Sequence, residues 1–398
     1  MSINHDNNIE SLTVKDVLVV VQEFLKDDTV EVEDYGLKPY SEDKLGHMGS
    51  HLQLTITIKN SQTEIDFMNE CGMFTEEFVF FQKVKPLLME NYKDKAWSPV
   101  CYLAKKEFLV MEDLKMNKFE LSNNLLDNTC QIKSTLETLA RFHACSIVAE
   151  ARLTQLHKKP VFLNDYFPNN LKEKFFPNDT STRQSTINVL IENTMNLVFA
   201  MADSFQRSSQ NIRKLYKKLF EVVKPSKIHR NVICHGDLWA NNLMFNDSDP
   251  EPQCVFVDFQ TMRYAPNVLD VLQLLYLNTT LNYRKQHEKE FIRVYSLTLE
   301  RTIQNNDETN TAVAPTFEEN IEAYEDLRLF GASLASIYLP FILLDQKIIN
   351  ELYNGPDGFS NALYTDKTEI TFAYMKRNES YKNRIEKVIN ELADIADQ

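Results

Sequence analysis

His235-Gly236-Asp237-Leu238-Trp239-Ala240-Asn241-Asn242, followed by Val257-Asp258-Phe259-Gln260, is the stretch from which the fold and the chemistry can both be read. Between the two motifs, Leu243-Met244-Phe245 is a short apolar run, Asn246-Asp247-Ser248-Asp249-Pro250 carries turn residues, and Cys254-Val255-Phe256-Val257 is a second apolar run. Run, turn and run predict a β-hairpin. Asn242 would open its first strand and Asp258 close its second, so antiparallel pairing would set them opposite, with Cα atoms about 5 Å apart. An amide oxygen and a carboxylate would then converge on one point. That is a ligand set for a hard divalent cation such as Mg2+, which completes its shell with phosphate oxygens and water.

Asp237 lies on the loop leading into this hairpin, where it could orient an acceptor hydroxyl or take its proton beside a metal-bound phosphate. Either Asp or the Asn alone is most simply a turn residue. It is the pairing of two motifs at a hairpin-compatible separation that points to phosphoryl transfer.

These residues carry a resemblance. The string from Cys234 to Phe245, then Val255 to Gln260, then Pro266-Asn267-Val268-Leu269-Asp270, resembles the ecdysteroid kinase-like family, a branch of the aminoglycoside phosphotransferase and choline kinase group. Leu109 to Leu114 is similar to that family's hinge, and Leu139 to Ala144 to the helix that follows. The resemblance runs from about Gly46 to about Asp345. It implies an α+β, two-lobed protein-kinase-like fold with a small β-rich N-lobe (1–113) and a large, mainly helical C-lobe (114–398).

Position by position, the resemblance implies Asp237 as the catalytic base, Asn242 and Asp258 as Mg2+ ligands, and His235 as a brace of the catalytic loop. Asp270 becomes a buried anchor for that loop. Backbone groups from Glu112 to Leu114 would meet the adenine edge of ATP. A protein kinase proper is disfavoured, because Gly236 stands where that group carries Arg, Gln260 where it carries Gly, and no Ala-Pro-Glu signature follows.

Kinases also hold the α/β-phosphates with a strand lysine fixed by a helix glutamate. Lys59 and Glu77 are the candidates, Glu77 lying in Phe74-Thr75-Glu76-Glu77, which resembles the family's Phe-x-x-Glu. Lysines usually sit at surfaces, so Lys59 is equally well a solvated strand end. Only one clear strand separates the glycines Gly46 and Gly49 from Glu77. Either Lys59 serves within a shortened lobe or the segment with the expected lysine is missing.

Composition narrows the partners. The chain has 398 residues, 43% of them hydrophobic and 25% charged, with a formal net charge of −14. It is ordinary globular material, and its charge argues against nucleic acid or an anionic membrane as the main partner. Six scattered cysteines without a Cys-x-x-Cys pair speak against zinc or a disulfide framework. Met1 to Ser11 shows no signal-peptide core, so a cytoplasmic location is expected, and the chain is expected to act as a monomer. Leu329 to Leu344 is uncharged but falls short of the ~20 residues needed to span a bilayer, and it reads as a buried helix kinked at Pro340.

Elsewhere the spacing predicts a helix from Thr13 to Lys26, a strand from Gln53 to Lys59, a helix from Phe74 to Tyr92 broken by Pro86, and two strands within Pro99 to Met111. Long helices follow over Asp127–Leu156, Ile187–Phe205, Ile212–Val223, Val268–Leu281, Arg284–Gln304, Phe317–Asn350 and Ser380–Ala396. The polar stretch from Asn305 to Pro315 reads as a mobile loop. Tyr276, Tyr283, Tyr295, Phe330, Tyr338 and Phe341 could line an apolar acceptor cleft, although at helical spacing they equally suit a core. The function implied is ATP- and Mg2+-dependent phosphorylation of a hydroxyl on a small molecule, an ecdysteroid or another lipophilic alcohol. The alternatives are a nucleotide- or ligand-binding pseudokinase and a choline- or ethanolamine-type kinase.

Overall fold

A computed structural model describes residues 15–16, 19–20, 38–39, 52–53, 73–106, 108–173, 185–248, 250–352 and 366–398. Lys59, the glycines at 46 and 49, and most of the helix and strand expected before residue 60 lie outside them. The described part is α+β and mostly helical, with short antiparallel strand pairs.

The first long described element is one helical rod in three pieces: α1 (Met73–Val79), a π-helical turn (Phe80–Val84) and α2 (Lys85–Leu88). Pro86 was expected to break this helix. It has no N–H to donate, and the π turn, in which Lys85 N–H reaches back to Phe80 O, absorbs the mismatch just before it, so the rod continues to Leu88. Two strands follow as expected, β3 (Cys101–Ala104) and β4 (Leu109–Met111), after the short pair β1 (Lys38–Pro39) and β2 (Leu52–Gln53).

At the centre runs α3 (Thr129–His157), buried along most of its length and packed chiefly on α8 (Leu281–Asn306). Asn128 caps it by accepting the Gln131 N–H, and Lys158 ends it in the left-handed region. Between them lie α4 (Leu163–Tyr166), α5 (Ser185–Ser204), α6 (Ser209–Val222) and α7 (Val268–Asn278). The stretch expected as one helix from Phe317 to Asn350 is three: α9 (Phe317–Asp326), α10 (Arg328–Ile342) and α11 (Gln346–Leu352). Apolar spacing continues through the breaks at Leu327 and Leu343, so periodicity cannot register them. Then come α12 (Thr368–Arg377) and α13 (Glu379–Ala396).

Among the described residues no single helix is long and apolar enough to cross a membrane; α10 and α11 reach that length only together, across an 84° bend. The segment from Asn305 to Pro315 is organised around Asp307, whose carboxylate accepts the N–H groups of Thr309, Thr311 and Ala312. Sequence polarity there reflects an Asx-type turn.

Two small ladders set the site. In the hairpin, β7 (Leu243–Asn246) pairs with β8 (Gln253–Phe256), and β5 (Glu120–Leu121) adds a third strand beside β7. Outside it, β6 (Asn231–Cys234) pairs with β9 (Arg263–Pro266), Cys234 opposite Arg263. This second ladder clamps the base of the segment from His235 to Met262, which holds both motifs.

Candidate active site

The hairpin forms where the alternating runs place it, with one correction of register. Leu243 pairs with Phe256, and the Val257 N–H donates to Asn242 O, so Asn242 faces Val257 and not Asp258. Asp258 lies one residue beyond, in the left-handed region at φ 67°, which turns the chain off the sheet. Aspartate tolerates that conformation better than most side chains do.

The loop before the hairpin is held from beneath. Asp270, fully buried in the first turn of α7, accepts the His235 N–H at 2.6 Å and the Gly236 N–H at 3.1 Å, and meets His143 Nε2 at 3.2 Å. Burial works against its charge. The His143 hydrogen bond and the positive surroundings outweigh burial and hold its carboxyl below the usual value. His143 carries more than one bond, since its Nδ1 also meets the Tyr295 hydroxyl at 2.7 Å. Cys234 completes this group, its Sγ directed at the Ala265 and Pro266 carbonyls. Although His143, Cys234 and Asp270 are chemically a metal-ligand trio, each is already spent on protein partners.

Gly236 has φ +84°, and a Cβ there would lie 2.4 Å from Thr261 O. Only glycine passes this crossing without displacement. His235 is braced on both ring nitrogens: Nε2 meets Val257 O at 3.0 Å, and Nδ1 accepts the Asp237 N–H at 3.2 Å. Its pKa is lowered to about 4, first by burial, so it is a neutral brace joining the two motifs.

Asp237 accepts from Asn242 Nδ2 through both its backbone carbonyl and its Oδ2, each at 2.9 Å. Its other oxygen, Oδ1, is buried with no hydrogen-bond partner. Burial and then the Asp258 charge push its carboxyl up to about 7. Asp258, which accepts from Gln260 Nε2 at 3.0 Å, is raised first by burial and then by Glu77; Glu77 is itself raised by burial.

Glu77 reaches this site from α1, its Oε1 accepting the Phe259 N–H at 3.2 Å. An aromatic cluster fixes that approach: Phe80 stacks on Phe259 at 4.0 Å, with Trp97 and Phe142 against the same rings. Each fully buried ring contributes about 2–3 kcal/mol.

Three carboxylates thus share one low-dielectric neighbourhood, and one of them has an unsatisfied buried oxygen. The donor chemistry fits a divalent cation. Asn242 and Asp258 would hold it, the Asn242 amide N–H groups being turned to Asp237 and its oxygen left to face the ion.

The hinge residues are placed differently from the rest. Glu112 Oε2 accepts the Val100 N–H at 2.6 Å, Oε1 accepts from Asn117 Nδ2, and its own N–H goes to Val100 O. Leu114 opens a 3-10 turn (Leu114–Asn117), packs its side chain on Met244 and Val255, and gives its carbonyl to the Phe119 N–H. Both join strand, hinge and hairpin.

Arg263 Nη1 and Glu173 Oε2 form a buried pair 2.6 Å apart, joining residues ninety positions apart that no local sequence pattern links. Of the cleft aromatics, Tyr276, Tyr295 and Phe330 are core. Tyr283, Tyr338 and Phe341 are half-buried, and the Tyr338 hydroxyl feels the charges of Asp237, Arg263, Glu173 and Asp258.

An α+β fold in which a braced His-Gly-Asp loop and an antiparallel hairpin gather carboxylates and an amide defines a kinase-like protein. The chain belongs to the ecdysteroid kinase-like family, whose sequence profile it matches over residues 44–307. It is also similar to an uncharacterized kinase-like protein of Caenorhabditis elegans, 29% identical over 94 residues, which is 23% of each chain. Among solved structures it is similar to Plasmodium vivax ethanolamine kinase (12% identity, TM-score 0.34, 82% of this chain and 75% of that one). It is likewise similar to the aminoglycoside phosphotransferase APH(2'')-Ib bound to ADP (12% identity, TM-score 0.32, 79% and 98%). The assignment rests on the family match, not on these distant superpositions.

Proposed function

We propose that the chain is an ATP- and Mg2+-dependent kinase that phosphorylates a hydroxyl group of a small molecule, with an ecdysteroid or another lipophilic alcohol as acceptor. The observation that supports this most is the unpartnered, buried Oδ1 of Asp237 beside Asp258 and Glu77. A buried acceptor without a donor costs about 1–3 kcal/mol, and it is retained where a ligand supplies the donor. An alcohol O–H is such a donor. In this reading residues 1–113 cover the nucleotide and residues 114–398 carry the loop, the metal ligands and the acceptor cleft.

When bound, Mg2+ would neutralise charge on the terminal phosphate and offset the crowded carboxylates. Asn242 and Asp258 would hold it. Asp237 orients the acceptor hydroxyl through Oδ1 and takes its proton as the phosphoryl group transfers, while Asn242 keeps the other oxygen fixed. His235, neutral, keeps the Asp237 backbone in register with Val257. Glu77 links α1 to the turn that carries Asp258.

The test is ATP turnover, in the presence of Mg2+, with a panel of sterol, choline and xenobiotic alcohols, using Asp237→Ala as the control. Turnover confined to the unsubstituted protein is expected. Equal activity in the variant would exclude Asp237 as the base; nucleotide binding without any turnover would favour a pseudokinase, and turnover of choline alone a choline-type kinase.

A further inference from the structure

Arg263 is 4% exposed, yet only one edge of its guanidinium is used. Nη1 pairs with Glu173, Cζ lies 5.3 Å from the centroid of the Phe330 ring, and both Nε and Nη2 are buried without a hydrogen-bond partner. Its strand places it directly opposite Cys234, the residue before the His235 brace. The side chain is close enough to Asp237 for its charge to favour that carboxylate, and Tyr338 on α10 feels both groups. The same neighbourhood therefore holds a buried acceptor atom lacking a donor and two buried donors lacking an acceptor. One hydroxyl satisfies Asp237; the Arg263 donors call for another oxygen.

We propose that Arg263 is a specificity-determining residue of the acceptor site, its free Nε and Nη2 edge binding a second oxygen, hydroxyl or carbonyl, of the same small molecule whose hydroxyl meets Asp237. The inference rests on the kinase reading and narrows its substrate class to alcohols with a second oxygen near the phosphorylated one. Glu173 holds the guanidinium in orientation and cancels its charge, so the subsite selects by hydrogen bonding and not by attracting anions. Tyr338, half-buried at the edge of the same group, would pack on the acceptor skeleton.

The experiment compares matched acceptors: steroid, alicyclic and sugar diols, each against the analogue lacking one hydroxyl. Turnover with ATP and Mg2+ is followed as kcat/KM. The unsubstituted protein should prefer a diol over its partner by about tenfold to a hundredfold, the range for a hydrogen bond to a charged donor. The paired variant Arg263→Met with Glu173→Gln, which removes both buried charges and leaves neither alone, should bring that ratio close to one. Arg263→Lys, charged but without the fork, should restore part of it.

A diol preference that survives in the folded double variant overturns the subsite while leaving the kinase reading intact. So does a preference absent from the unsubstituted protein. Absence of turnover with every acceptor overturns the kinase reading and the subsite together. Circular dichroism and thermal melting verify folding, and should the double variant fail to fold, Arg263→Lys decides the matter by the same ratio.

Discussion

Replacing Asp270 by alanine should destabilise the protein more than any loss of surface charge would, and the size follows from three donors. The His235 N–H, the Gly236 N–H and His143 Nε2 all converge on this fully buried carboxylate. Each buried donor left unmet costs about 1–3 kcal/mol. The sum, with some relief from water entering the vacated space, is about 3–6 kcal/mol, a large share of the roughly 5–15 kcal/mol that holds a typical domain together. Asp270→Asn should cost less but not little, because either orientation of the amide sets its NH2 against a donor.

Urea denaturation followed by tryptophan fluorescence measures this directly, through a fall in midpoint at constant slope. The acid limb adds a second reading. Asp270 has its folded carboxyl held below the ordinary value of 3.8, so its contribution is complete above that value and is lost as pH falls through the lowered one. The gap in stability between the unsubstituted protein and Asp270→Asn should thus be flat from pH 7 to about 5 and shrink below about 4. A cost under about 1 kcal/mol for Asp270→Ala, or a gap that does not change with acid, would refute the anchoring role.

Gly236→Ala adds a Cβ 2.4 Å from Thr261 O at φ +84°, and about 2–4 kcal/mol of destabilisation with loss of turnover should follow; unchanged urea midpoint and activity would contradict it. Asp258→Ala should lower turnover by about a thousandfold or more and remove most of the Mg2+-dependent part of ADP affinity in calorimetry; a retained Mg2+ effect would show that the cation is held elsewhere. Lys85, pushed down to about 8 by burial against Phe81 and Trp97, binds fewer protons folded than unfolded between about pH 8 and 10.5, so stability should rise with pH across that window. Lys85→Met should flatten that rise in melting temperature, and an unaltered slope would count against the shift.

The site was legible in the sequence wherever its geometry is local. Asn242 and Asp258 flank two apolar runs joined by turn residues, and the hairpin between them follows from that pattern. The register was misjudged by one residue because alternation fixes which face a side chain takes, whereas the Val257 to Asn242 hydrogen bond and the left-handed Asp258 fix where pairing stops. The β6 and β9 strands went unread for a different reason. Each is four residues long, and β9 contains Arg263 and Pro266, which suit neither a strand pattern nor each other until Cys234 and Asn231 lie opposite them.

What the sequence could not show was pairing over long separations. His143 looked like an ordinary helix residue, since nothing near it in the chain announces Asp270 or Tyr295. Glu173 and Arg263 are ninety residues apart, and only the fold makes them partners. Helical breaks at Leu327 and Leu343 escaped because the apolar spacing runs on through them.

The same contrast separates two buried carboxylates of one segment, Asp270 and Asp237. A carboxylate is costly to bury in proportion to the donors it lacks. Asp270 has three and stays ionised, whereas Asp237 has one oxygen with none and is pushed up to about 7. Both sit within the same segment bounded by β6 and α7, so burial alone does not separate them; their neighbours do, His143 and the positive surroundings beside Asp270 and the Asp258 carboxylate beside Asp237. Asp237 Oδ1 is left without a donor, and under the proposed function an acceptor O–H would supply it, so that stability given up at Asp237 would be recovered on binding. On this argument acceptor binding should raise the melting temperature of the unsubstituted protein and leave that of Asp237→Ala almost unmoved.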